Sequence, residues 1–194
     1  MPSLWTPSTI GNQSYFLMNL DHSQVEKEVI AEMEGGVDVY YDRRWEITTV
    51  LTDWLAKHPE VMDGKRVLIL GAGVGAETLI LARHGSHIWI NDLSATALKL
   101  CAEQLEKNGL QNFTPILGLY QERALPEVDL VVASFLIYND ETFQAMRSFV
   151  TSHRGEIILV NERLAPFPKF LELEKHEIIF EQDGAVGVLL EGAT

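Results

Sequence analysis

The chain has 194 residues, 46% of them hydrophobic and 22% charged, the balance of one globular unit with a full core and no room for a second catalytic domain. Its formal net charge of −13 sets up a field that repels phosphate backbones and anionic membrane surfaces, which argues against a nucleic-acid partner and leaves a basic macromolecule or a small metabolite. A single cysteine, Cys101, excludes a disulfide framework, and the six histidines show no ligand spacing, so no metal site is expected.

The opening stretch, MPSLWTPSTIGNQS, lacks the basic region and long apolar run of a signal peptide, and no segment is long enough to span a bilayer, so a cytoplasmic protein is expected. Over the first forty residues QSYFLMNL and KEVIAEMEG suit either strand or helix, and Gly35-Gly36 marks a turn. Residues 1–40 form an N-terminal extension on this reading, and 41–194 the main domain. DRRWEITTVLTDWLAKHP spaces Trp45, Val50, Leu51, Trp54 and Leu55 helically and stops at Pro59.

From there short runs rich in branched residues alternate with helical patterns. RVLIL, SHIWIN, FTPIL, VDLVVAS and GEIILVN read as strands. AETLILARHG, SATALKLCAEQLEKNG and NDETFQAMRSFVTSH read as helices, the second opening on Ser94 as N-cap and closing on Gly109. Cys101 falls on the apolar face of that helix with Leu98 and Leu105, a core position rather than a nucleophile. A repeated strand-helix-strand pattern implies a parallel sheet covered on both faces. The end, HEIIFEQDGAVGVLL, has two strand-like runs about Asp183-Gly184, so the last strand is expected to run antiparallel.

The first strand runs into GAGVGA, where Gly71, Gly73 and Gly75 let a ligand lie against the backbone at the carboxyl end of the strand. The run satisfies both G-x-G-x-x-A, which suits a dinucleotide, and G-x-G-x-G, which suits S-adenosylmethionine. Asp92, twenty-one residues after Gly71 at the end of the next strand, is placed to receive ribose hydroxyls in either case. The absence of a substrate domain after the sheet, the helix carrying Trp45 ahead of it and the terminal hairpin favour S-adenosylmethionine over NAD.

From Trp45 to about Leu190 the chain resembles the class I, seven-strand methyltransferases, and among them the protein-lysine methyltransferases that modify chaperones, ATPases and the electron-transfer flavoprotein β subunit. WEITTVLTDWL ahead of DGKRVLILGAGVG, then NDLSATAL, VDLVVASFLIYND and ILVNERL carry the likeness. The resemblance implies a Rossmann-like α/β fold, a mostly parallel seven-stranded sheet with an antiparallel C-terminal hairpin and helices on both faces. It also implies S-adenosyl-L-methionine as cofactor, held by Trp45, Gly71, Ala72, Gly73, Gly75, Asp92, Leu93, Leu119 and Ser134. Tyr138 would orient the acceptor, with Asn139 and Asp140 at the entrance. Two positions depart from the family: Ile69 and Phe135 stand where its members carry acids.

The expected activity is therefore methyl transfer to a protein lysine. A small-molecule N- or O-methyltransferase and a catalytically silent binding protein are the rival readings. Arg43-Arg44 reads as a substrate-facing pair or a solvated helix start, and Asn161–Arg163 as a ligand-edge or a structural cluster. Trp54 and Trp89 are assigned to the core.

Overall fold

The computed structural model describes residues 3–36 and 39–192. Strand β3 (Arg66–Leu70) shows why the sheet is covered on both sides. Side chains alternate along a strand, so Val67 and Ile69 enter one apolar layer while Leu68 and Leu70 enter the other. On the first side lie α2 (Glu46–Lys57), α3 (Glu77–His84) and α4 (Ala95–Lys107), whose Leu51, Leu55, Leu79, Leu81, Cys101 and Leu105 are fully enclosed. On the second lie α5 (Asp140–Ser152) and α6 (Phe167–Leu173), anchored by Phe143, Met146, Phe167 and Phe170. Trp54 and Trp89 are half-buried at the edges of these layers.

The remaining sheet strands are β4 (His87–Asp92), β5 (Phe113–Leu117), β6 (Leu130–Ser134), β7 (Glu156–Glu162), β8 (His176–Gln182) and β9 (Ala185–Glu191). They pair in the order β5-β4-β3-β6-β7-β9-β8. The five strands from β3 to β7 are parallel; β9 runs antiparallel to both β7 and β8. The expected sheet and its terminal hairpin are thus present, with Asp183 and Gly184 both at positive φ in the turn. Strand order reverses at β3, between β4 and β6, where open α/β sheets bind ligands beyond their carboxyl ends.

The ambiguous N-terminal segment resolves into a hairpin, β1 (Trp5–Ile10) with β2 (Gln13–Met18), and helix α1 (Ser23–Glu34). Outside the hairpin the edge of β2 is met by side chains of α4. Asn108 Oδ1 accepts from the Phe16 amide at 2.8 Å and its Nδ2 donates to the Phe16 carbonyl at 2.8 Å, while Gln104 Oε1 accepts from the Met18 amide at 2.9 Å. Side-chain amides thus stand in for a neighbouring strand and remove an open edge. Met18, Val25 and Val29 then pack with Tyr41, Val74, Ala97 and Leu100, which ties the segment to the glycine loop. Among the described residues no helix is long and apolar enough to cross a membrane.

Candidate functional site

Beyond the carboxyl ends of β3, β4, β5 and β6 the chain encloses a cavity of about 790 Å³, within the usual range for a small-molecule site. Its floor is the glycine loop. Gly71 and Gly73 take positive φ, 62° and 50°, and a Cβ at Gly71 would meet Leu136 Cδ2 at 2.7 Å, so the loop needs glycine there for both conformation and space. The Ala72 amide donates to the Asn91 carbonyl at 2.9 Å, which fastens the loop to β4.

Asp92 ends β4 facing this loop. Its Oδ2 accepts from the Gly73 amide at 2.8 Å and its Oδ1 from the Ser94 amide at 2.9 Å. Burial pushes its carboxyl upward, and the amides of Ser94, Gly73 and Leu93 oppose that shift. Each oxygen retains acceptor capacity for a ligand hydroxyl. Buried Asn91 ties β4 to the end of β5: its Nδ2 donates to the Ile116 and Gly118 carbonyls at 2.9 and 2.8 Å, the second beside Leu119. Leu93 and Leu119 are exposed, 58% and 38%, and both give apolar surface to the cavity.

Aromatic side chains form another part of the wall. Trp45, the N-cap residue of α2, donates its ring N–H to the Tyr40 carbonyl at 2.8 Å and stacks on Phe135 with centroids 5.1 Å apart. Tyr138 lies 6.5 Å from Phe135 and 6.2 Å from Tyr40, centroid to centroid. Phe135 holds φ at 55°, a left-handed conformation rare for a bulky residue and found where a site constrains the backbone. Its amide donates to the Val160 carbonyl at 2.8 Å. Buried Asn161 clamps the same turn, its Nδ2 donating to the Ile137 carbonyl at 2.8 Å and its Oδ1 accepting from the Ile137 amide at 3.2 Å. Ser134 precedes the turn, its hydroxyl 3.4 Å from that of Thr48.

The cavity therefore gathers Trp45, Gly71, Ala72, Gly73, Gly75, Asp92, Leu93, Leu119, Ser134 and Tyr138 on one surface. One expectation needs correction. Asn139 and Asp140 do not line the cavity: Asn139 caps α5 in a reciprocal box with Thr142, and Asp140 follows it in the first turn. Of the two readings of Asn161–Arg163 the structural one fits, with Asn161 bonded to Ile137 and Arg163 paired with Glu181 at 2.6 Å. Cys101 is enclosed and burial pushes its thiol up to about 12, which removes it as a nucleophile.

Several lining groups were not singled out from the sequence. Ser8, Thr9, Ile10 and Leu17 of the hairpin, Tyr40, Tyr41, Thr48 and Glu77 all reach the cavity, as do Arg43 and Arg44, the pair read as substrate-facing or as a helix start. Tyr41 donates its hydroxyl to Glu32, which also accepts from Ser94 Oγ at 2.7 Å, so α1 braces the wall behind Asp92. Burial and that carboxylate together push Tyr41 up to about 12. Glu77 is the first residue of α3 and only 3% exposed; Oε2 of its carboxylate has no hydrogen-bond partner. Burial lifts it to about 8, against the pull of its own backbone N–H and of the Arg44 charge. Among the described residues no group of three His, Cys, Asp or Glu is placed to hold a metal ion.

A family model described as a methyltransferase domain matches residues 67–153. Histone-arginine methyltransferase METTL23 of Homo sapiens is 28% identical over 108 residues, covering 52% of this chain and 56% of that protein. The 5-keto-D-gluconate 5-reductase of Escherichia coli is 27% identical over 141 residues, 69% of this chain and 48% of its own. The electron transfer flavoprotein beta subunit lysine methyltransferase of Homo sapiens is 27% identical over 121 residues, 62% and 46%. The chain thus spans about half the length of the curated relatives it matches. Among solved structures, the T. thermophilus 16S rRNA methyltransferase RsmC, in complex with AdoMet and guanosine, matches with a TM-score of 0.71 at 19% identity, over 98% of this chain and 51% of that one. A likeness at that identity is one of fold.

Proposed function

We propose that this chain, which carries a methyltransferase domain at residues 67–153 on the class I, Rossmann-like fold, is an S-adenosylmethionine-dependent methyltransferase acting on a protein lysine amine. The observation that carries this reading is a cavity at the switch point of the sheet whose wall holds both the glycine loop with Asp92 and the Tyr40, Trp45, Phe135 and Tyr138 rings. Residues 41–194 are the transfer domain on this reading, and residues 1–40 an extension whose hairpin supplies one wall.

The residues suit the cofactor. Gly71, Ala72, Gly73 and Gly75 leave backbone open beside the ligand. Asp92 would accept from ribose hydroxyls, and Leu93 with Leu119 would hold the adenine between apolar surfaces. Ser134 and Trp45 would bound the methionine side. When bound, S-adenosylmethionine supplies an electrophilic methyl group for in-line displacement.

The chain's own task is to align a neutral nucleophile and exclude water. Free lysine has a pKa near about 10.4, so its ammonium must lose a proton before attack. Low polarity around the Phe135 and Trp45 rings disfavours the charged amine and moves its pKa down, with the proton leaving to solvent at the mouth. Tyr138, 48% exposed at that mouth, would orient the amine through its hydroxyl. The negative net charge favours a basic protein as partner and opposes RNA. A second reading, with arginine as acceptor, draws on the match to METTL23, a histone-arginine methyltransferase by name.

Calorimetric titration with S-adenosylmethionine and, in parallel, with NAD and NADPH tests the cofactor; heat only with a nicotinamide ligand would overturn the proposal. Transfer of a labelled methyl group is then followed into lysine-rich peptides, arginine-rich peptides and ribosomal RNA. Methyl-lysine after hydrolysis is the expected product. Methyl-arginine would favour the second reading, and labelled RNA would refute both.

A further inference from the structure

Glu77 lines the cavity, and the roles above do not use it. A carboxylate this deeply enclosed is costly unless a cation or several donors meet it. Yet Oε2 has no hydrogen-bond partner. It lies so close to the glycine loop that a Cβ on Gly75 would run into both carboxylate oxygens, and it faces the cavity. The side chain is therefore held against the ligand space with an acceptor unspent. Arg44 lines the same cavity, its Nη2 donating to the Met18 carbonyl at 2.7 Å, and its positive charge acts on Glu77.

What would complete this pair is a cation small enough to reach Gly75 and belonging to a ligand that also carries an anion for Arg44. A metal ion is a poor candidate, because among the described residues no group of three His, Cys, Asp or Glu is placed to hold one. A lysine acceptor is expected to enter beside the aromatic rings as a neutral amine. An α-amino acid zwitterion has both charges on one carbon. We propose that Glu77 accepts from the α-ammonium of the cofactor's methionine end, with Arg44 facing its α-carboxylate. The assignment rests on the cofactor reading above and names the residue that selects for an intact amino-acid tail.

The test compares S-adenosylhomocysteine, which keeps the zwitterion, with 5′-methylthioadenosine, which lacks it, on the full chain by calorimetry. Glu77→Gln is expected to weaken S-adenosylhomocysteine at least about tenfold, as for loss of a buried charge-assisted contact, and to leave 5′-methylthioadenosine within about twofold. Glu77→Asp, which keeps the charge but shortens the reach, serves as a second variant and is expected to fall between. Unchanged affinity for S-adenosylhomocysteine in both variants overturns the assignment while leaving the cofactor reading intact. Equal losses for both ligands also overturn it, by showing that Glu77 only shapes the loop. A wild-type chain that binds neither ligand removes the cofactor reading and the assignment with it.

Discussion

Glu77 ties the stability of the empty protein to pH in a direction opposite to that of an ordinary paired carboxylate. Burial lifts it from the ordinary carboxyl value of 4.5 to about 8 in the folded chain. Between those values the folded state keeps a proton that the unfolded state has lost, so stability falls as pH rises. The slope for one such group is about 1.4 kcal/mol per pH unit. From pH 5.5 to 8 the loss is therefore about 3 kcal/mol, with partial ionisation near the upper end softening it. In a domain of this size each kcal/mol moves the melting temperature by about 2 to 4 °C, which gives a drop of about 6 to 12 °C. Glu77→Gln, which mimics the protonated form, should lack this component. The assay is thermal unfolding by circular dichroism at pH 5.5, 7 and 8.5 without ligand, taken as the difference between variant and wild type so that other titrating groups cancel. Melting curves that shift in parallel for the two proteins would refute the reasoning.

Three further outcomes follow from the site. Asp92→Ala removes the acceptor proposed for ribose and the anchor of the Gly73 and Ser94 amides; cofactor affinity should fall by about 1 to 3 kcal/mol in a variant that still folds, and unchanged calorimetric affinity would take Asp92 out of the site. Gly71→Ala forces a side chain into a left-handed position against Leu136; at about 1 to 2 kcal/mol of strain the melting temperature should drop by about 2 to 8 °C, and an unshifted melt would show that the loop relaxes. Tyr138→Phe should preserve cofactor binding and lower turnover of a labelled methyl group. Equal turnover would leave the ring with a packing role alone.

The legible parts of the fold were those in which local pattern and tertiary environment agree. RVLIL and HIWIN are branched, apolar and bounded by turn residues, so β3 and β4 could be read directly, and the glycines and Asp92 followed from their register. The N-terminal hairpin was not legible, because its outer edge is satisfied by Asn108 and Gln104 from a helix some ninety residues away in sequence. Glu77 reads in sequence as an acid in a first helical turn, favoured there by the helix dipole; only its burial beneath the glycine loop distinguishes it. Asp140 carried the same ambiguity with the opposite outcome, since Asn139 takes the cap. Asn161 sat where ligands bind in such sheets, but its amide is consumed by the Ile137 backbone.

Gln104 is fully enclosed and bonds in two directions, accepting from the Met18 amide and donating to the Gly75 carbonyl at 3.3 Å. Lifting the hairpin away would strip one side of this amide and leave the other holding the loop alone. Detachment of the first strands and loosening of the ligand floor are thereby a shared event, and the Met18 amide becomes a reporter of it. Its exchange with solvent deuterium should slow when a ligand stills Gly75, although Met18 itself is not among the residues lining the cavity.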